Sequence, residues 1–435
     1  MSQQLIFITI FLGLISGPRQ VDLQVGQAIR LVRLQLDGQQ VAELHEAPWS
    51  ATVDFGAEIA PGELVATGYD QHGQEVARVS QQVNLPRPTA EFVIVFEHNA
   101  KGIPTAVQLR WKHLLGKEPE KSSLTVDGKD VSLDAAMRAA LPRLDMDQPH
   151  VLAATISFPD GVVARREIVV GGTNGDLAVT QLTPIAVRTS TNTLSPADAD
   201  CFTNAGTPVR MSAIETSPGL VIFVIDPDHG PTLKALDPAQ DLQNGAVNAL
   251  VKMVPLDRGT WMHVQWPIAE QYRTTNNSTS TLFPITHDVE ASDTGLVWLL
   301  TRSVAEHAED DKPRQTADAV LVAGLNAMKG AHRRAVVLLL SRHKDASTFG
   351  SAASRKYLST IGVPLFVWSV DGPPPDLKEE WGDIEDVSSL PALRVAADHL
   401  RAELASQRVA WVAADPLTAL RVQPTGRCGI TPLAH

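Results

Sequence analysis

Leu220-Val221-Ile222-Phe223-Val224-Ile225-Asp226 decides the fold of the C-terminal half: an unbroken apolar run closed by a carboxylate. Successive side chains of a strand point to opposite faces, so a strand that is apolar throughout is buried on both. Two further runs repeat the pattern. Ala335-Val336-Val337-Leu338-Leu339-Leu340 leads into Ser341, and Val363-Pro364-Leu365-Phe366-Val367-Trp368 follows. Helical spacing lies between and after them. Ala317, Val320, Leu321, Gly324, Leu325 and Met328 recur at i, i+3, i+4, i+7 before the second run, and Leu393, Ala396, Ala397, Leu400 and Leu404 do so after the third. Ser389 is the expected N-cap of that last helix, with Pro391 in its first turn. Alternating strand and helix predict a doubly wound, Rossmann-type α/β domain over residues 219–415, with 416–435 as a C-terminal tail.

Upstream the rhythm changes. Leu36-Asp37-Gly38-Gln39-Gln40-Val41 matches Val126-Asp127-Gly128-Lys129-Asp130-Val131. Downstream, Leu64-Val65-Ala66-Thr67, Gly73 and Val76-Ala77-Arg78 match Leu152-Ala153-Ala154-Thr155, Gly161 and Val163-Ala164-Arg165. A repeat of about 90 residues is too long for a solenoid and suits two small domains. The Asp-Gly pairs read as hairpin turns, because Gly tolerates positive φ. Short alternating strands around them predict two immunoglobulin-like β-sandwiches, 19–86 and 89–172, joined at Leu85-Pro86-Arg87-Pro88. Neither holds a Cys, and Trp49 and Trp111 read as core residues. Residues 173–218, rich in Thr, Ser, Asn, Gly and Pro, read as a connector with a strand-like piece at 177–182.

Residues 1–18 contain the apolar run Leu5–Ile15, too short to span a membrane as a helix. Its length and position suit an export leader, so the expected location is periplasmic, cell-surface or secreted. The other reading of the run is a buried first strand. The chain has 435 residues, with 37 Lys plus Arg against 49 Asp plus Glu, a net charge of −12. That balance gives no field to attract nucleic acid. Two Cys exclude a disulfide-dense scaffold and a four-cysteine zinc site.

Residues 219–415 resemble a von Willebrand factor A domain. Three stretches carry the resemblance: Leu220–Ile225 running into Asp226-Pro227-Asp228-His229-Gly230; Arg314-Gln315-Thr316 before the helix, followed by Arg333–Ser341; and Tyr357–Val367. With the apolar leader and the sandwiches, the chain is similar to bacterial VWFA-related secreted proteins. The resemblance implies a metal-ion-dependent adhesion site built from Asp-x-Ser-x-Ser, a Thr and a later Asp. A hard cation such as Mg²⁺ takes such oxygen ligands in an octahedron. Asp226 and Thr316 match that pattern, but Asp228 and Gly230 stand where the two Ser belong. Arg342, after Ser341, replaces the last Asp. A guanidinium cannot ligate a cation, so Arg342 is expected to pair with the carboxylates in the metal's place. The other reading turns Arg342 to solvent and brings Asp345 in.

Catalytic motifs are absent: no Gly-x-Ser-x-Gly, His-Glu-x-x-His, Walker loop or Cys-x-x-Cys occurs, and the 13 His are scattered. His229 and His343 read as polar loop residues, and Asp54 and Asp70 as solvated turn carboxylates rather than Ca²⁺ ligands. The polar stretch Gln271–Thr281 breaks the strand–helix alternation and is a candidate for partner specificity. Cys201 and Cys428 flank the α/β domain, whose ends are expected to emerge together, so they either form one disulfide or remain two free thiols. The expected function is a non-enzymatic exported interaction or adhesion module, with an unidentified protein partner, no cofactor and no transmembrane span. The alternative is a metal-dependent enzyme or accessory factor using Asp226, Asp228 and Thr316, with Mg²⁺ as the cation.

Overall fold

A computed structural model describes residues 5–11, 13–86, 88–99, 103–172, 178–189, 201–226, 254, 256–273, 278–286, 289–291, 295–303, 314–340, 343–372 and 377–433. Two compact units divide the chain, Met1–Pro86 and Arg87–His435.

The first unit comprises β1 (Leu5–Phe7), β2 (Pro18–Val25), β3 (Leu31–Leu36), β4 (Gln39–Leu44), β5 (Ser50–Asp54), β6 (Gly62–Tyr69) and β7 (Glu75–Val83). They form an antiparallel sandwich of two sheets, ordered β1-β2-β5 and β4-β3-β6-β7. The stretch expected to precede this sandwich as a leader lies inside it. Leu5, Phe7 and Ile15 join the core, while Ile6, Ile8 and Ile10 face outward. Asn84 accepts the Ile15 N–H at 2.7 Å and donates to its carbonyl at 2.9 Å. A run apolar at nearly every position hid this alternation: in a strand successive side chains face opposite ways, so only every second one need be buried.

The second unit begins with β8 (Ala90–His98), β9 (Pro104–His113), β10 (Lys121–Val126), β11 (Lys129–Asp130), β12 (Arg138–Ala140), β13 (His150–Ser157) and β14 (Val163–Val170). Sheets β12-β9-β8 and β11-β10-β13-β14 repeat the first sandwich strand for strand. The hairpin turns coincide in detail. Asp37 and Asp127 have φ of 49° and 51°, each followed by a left-handed Gly. Asp37 donates its N–H to the Glu63 carbonyl at 2.9 Å and accepts the Glu63 N–H on its side chain at 3.1 Å. Asp127 treats Val151 the same way, both at 2.8 Å.

The copies differ one residue earlier. A Cβ on Gly62 would stand 3.0 Å from the Asp37 carboxylate, whereas the second copy has His150 there, its Nδ1 2.7 Å from Asp127 Oδ2. The hydrogen bond to Asp127 raises the His150 pKa above 6.5, and the same bond lowers that of Asp127. The His150 contribution is therefore complete below its unfolded pKa of about 6.5 and is lost as pH rises through the raised folded value. Asp127 contributes above its unfolded pKa and loses this as pH falls through its depressed folded value. Asp127 is nearly half exposed, with 45% side-chain exposure against 15% for His150, which limits the pair to under about 1 kcal/mol. Urea unfolding between pH 6 and 8 should show a small loss in the wild type that His150→Gln abolishes.

Next come β15 (Ala178–Thr189), β16 (Phe202–Asn204), β17 (Thr207–Val209), β18 (Met211–Glu215), β19 (Gly219–Ile225), β20 (Thr260–Gln265), β21 (Ala269–Arg273), β22 (Ser278–Leu282) and β23 (Val289–Glu290). After them run α1 (Leu296–Ser303), α2 (Thr316–Ala327), β24 (Arg333–Leu339), α3 (Ser351–Thr360), β25 (Leu365–Ser369), α4 (Leu377–Trp381), β26 (Ile384–Asp386) and α5 (Leu390–Ser406). The chain closes with β27 (Gln407–Ala413), α6 (Pro416–Arg421), β28 (Gln423–Pro424) and β29 (Ile430–Pro432).

A six-stranded sheet runs β23-β20-β19-β24-β25-β26 and is parallel apart from its edge strand β23. Val221, Phe223, Ile225, Ala335, Val337 and Leu339 face α1 and α5 in one core cluster. Helix α2 packs on β19 and β24, yet its residues are outside that cluster, so helices cover both faces.

Residues 173–218 are more than a connector. Strand β15 pairs with β14 through residues 178–181 and with β27 through residues 182–188. The sheet of the second sandwich thereby continues, as β11-β10-β13-β14-β15-β27-β18, into the strand that follows α5. Pro184 obscured this strand in the sequence. It falls between the end of pairing to β14 at Gln181 and the start of pairing to β29 at Val187, where no ladder needs its missing N–H on that edge. The tail is structured too: β28 pairs with β16 and β29 with β15. Cys201 and Cys428 form a disulfide there, with Cα atoms 5.5 Å apart.

Candidate functional site

Strand β19 is the switch point of the parallel sheet, since the chain continues to β20 on one side and later to β24 on the other. Loops diverge at such a point and leave a crevice at the carboxyl ends of the strands. Asp226 sits there, directly after β19, and is buried. Thr316, the first residue of α2, is buried at the N-terminus of that helix. Asp228, Gly230, Ser341 and Arg342 lie outside the described residues, as does His229.

Among the described residues the cation beside Asp226 is Arg314. Arg314 Nε lies 2.8 Å from Asp226 Oδ1, with side-chain exposures of 1% and 0%. Arg342, to which the sequence assigned this role, lies outside the described residues. Arg314 reaches Asp226 from the segment that opens α2, and its backbone is held from two sides. The Ala346 N–H donates to the Arg314 carbonyl at 2.7 Å, and the Gln315 N–H donates to the Pro267 carbonyl at 2.8 Å. A partner 88 positions away leaves no local signature; the only hint was Arg314 standing two residues before Thr316.

Asp345 also has a definite place. Its carboxylate accepts the N–H groups of Thr316 at 2.9 Å and Ala317 at 3.1 Å. Gln315, the N-cap residue, makes no side-chain capping bond, so α2 is capped from a distant loop. The clasp is reciprocal: Asp318 accepts the N–H groups of Thr348 and Phe349 at 2.8 and 3.0 Å, and Ser347 Oγ accepts the Asp318 N–H at 3.0 Å. A carboxylate at a helix N-terminus gains from the helix dipole as well as the bonds. Asp345→Ala should cost about 1–2 kcal/mol, read as a lower unfolding midpoint. Asp345→Asn should keep part of this, because its amide oxygen still accepts.

Among the described residues the nearby carboxylates are engaged: Asp226 with a guanidinium, and Asp345 and Asp318 with backbone N–H groups. Among the described residues no group of three His, Cys, Asp or Glu is placed to hold a metal. The Thr316 hydroxyl oxygen is buried with no hydrogen-bond partner among the described residues.

The polar stretch 271–281 is a two-stranded hairpin. Arg273 pairs with Ser278 and Ala269 with Leu282, while the tip at 274–277, including Asn276 and Asn277, lies outside the described residues. Its base adjoins Pro267, the residue that holds Gln315, so the hairpin is rooted beside Arg314 and Asp226.

No family model matches the chain, and no curated protein matches it. Solved structures to which it is similar include the fibronectin(III)-like modules of Clostridium thermocellum CbhA, at 11% identity over 39% of this chain and 94% of that one, TM-score 0.16. The central fibronectin-III array of RIM-binding protein matches at 9% identity over 43% and 77%, TM-score 0.20. The human COPII-coat protein Sec24c matches at 12% identity over 44% and 32%, TM-score 0.26. The immunoglobulin-like character of the two N-terminal sandwiches rests on their own strand order. Among the described residues no helix is long and apolar enough to cross a membrane.

Proposed function

We propose that the chain is a non-enzymatic, exported interaction protein whose von Willebrand A-like region binds a protein partner without a metal ion. The observation that carries this reading is the buried Arg314–Asp226 pair. In the adhesion site of the family, a cation over the strand-end carboxylate receives a carboxylate from the partner. Here a guanidinium takes the cation's place, which removes the ligand vacancy such chemistry needs. The hairpin β21–β22, rooted beside that pair, is then the element that reads the partner. The Cys201–Cys428 bridge favours an oxidising compartment and so supports export.

The test is titration of the full chain with Mn²⁺, followed by electron paramagnetic resonance. The expected result is no saturable binding, and retention of any isolated partner in EDTA. Stoichiometric micromolar binding that Asp226→Ala abolishes would overturn the reading. A second reading, a metal-dependent enzyme or accessory factor at Asp226, Asp228 and Thr316, draws on the buried Thr316 hydroxyl, which has no hydrogen-bond partner among the described residues. It predicts that same micromolar binding.

A further inference from the structure

The duplication provides an internal comparison that bears on the edges of the two sandwiches. Strand β14 of the second copy is not an edge, because β15 adds to it with the pairs Val169↔Ala178, Ile168↔Val179, Glu167↔Thr180 and Arg166↔Gln181. The matching strand of the first copy is β7. With Glu63 equivalent to Val151, the ladders place Gln82, Gln81, Ser80 and Val79 where the second copy has Val169, Ile168, Glu167 and Arg166. Strand β7 ends its sheet among the described residues. It is nine residues long, contains neither Pro nor Lys, and carries its two charges, Glu75 and Arg78, before Val79.

Strand β1 packs against β7, and residues 9–11 are held to it through a side chain instead of a backbone ladder. Gln81 Oε1 accepts the Phe11 N–H at 3.4 Å, and Gln81 Nε2 donates to the Thr9 carbonyl at 3.1 Å. Ile8 and Ile10, in the same stretch, are 61% and 52% exposed.

We propose that the outer edge of β7 is a docking site for an extended, uncharged peptide segment of a protein partner, added antiparallel as β15 is added to β14. Backbone hydrogen bonds supply the affinity in strand addition, and alternate side chains the selectivity. The choice of an uncharged occupant follows from the edge itself. Val79, Ser80, Gln81 and Gln82 carry no charge, and the segment accepted at the equivalent edge is Ala178-Val179-Thr180-Gln181. The inference is independent of the crevice around Asp226, and either can fail without the other.

The probe is the synthetic peptide Ala-Val-Thr-Gln-Leu-Thr, the sequence of residues 178–183, added to the full chain and read by hydrogen exchange. A peptide with Pro at its second and fourth positions is the blank. The expected result is severalfold slower exchange over residues 75–83, in the wild type or in Gln81→Ala, where the clasp on residues 9–11 is gone. Unchanged exchange over 75–83 in both proteins overturns the proposal. So does equal protection by the blank, or protection confined to residues 163–170.

Discussion

Arg314→Met will cost the Arg87–His435 unit about 3–5 kcal/mol, and most of the loss will return when Asp226→Asn is added. Met fills much the same space as the stem of Arg but removes the guanidinium that faces Asp226 Oδ1 away from water. Desolvating a lone carboxylate costs several kcal/mol, whereas the neutral Asn needs no counter-charge. Asp226→Asn alone removes the carboxylate from a buried guanidinium and should be nearly as harmful. The measurement is a double-mutant cycle on urea unfolding, followed by fluorescence of the buried Trp368 and Trp411. A loss in the double mutant equal to the sum of the two single losses would show that the pair is not coupled.

Removing the disulfide will be comparably damaging. Cys201 and Cys428 are 227 positions apart, and the loop-entropy relation gives about 5 kcal/mol for closing a loop of that length. The bridge also lies in a small cluster with Phe202, Met211, Val412 and Ile430, so its loss loosens packing around β16, β18 and β29. Cys201→Ser with Cys428→Ser should lower the unfolding midpoint of the second unit as far as dithiothreitol lowers that of the wild type. Thiol alkylation under non-reducing conditions should find no free thiol in the wild type. A double mutant as stable as the oxidised protein would show that the native contacts alone hold these ends.

Legibility in the sequence followed the distance over which each feature is specified. The apolar runs opening at Leu220 and Ala335 are strands β19 and β24, buried at every position. Ser389 caps α5 by accepting the Ala392 N–H at 3.4 Å, and Pro391 lies in the first turn. The Asp-Gly turns were readable because few residue types tolerate two successive positive φ values. That Arg314 reaches Asp226 was not readable, because the strand-end loops decide which side chains arrive there, 88 positions apart. The Asp345 cap escaped for the same reason, acting 29 positions from Thr316. The tail was missed because β28 and β29 have two and three residues, too few for a period to show.

The sheet that runs from β11 through β15 and β27 to β18 has a mechanical consequence. Tandem modules joined by a linker yield to tension one at a time, each as a separate event. Here β15 is a structural member of the second sandwich and of the region after α5 at once, through pairs to β14 and then to β27. A pull along β15 loads its seven pairs with β27 in shear, so they must fail together rather than unzip from one end. The span from Arg87 onward should therefore extend as one stiff body until that ladder ruptures. The disulfide, tying residue 201 to residue 428, would then cap the length released.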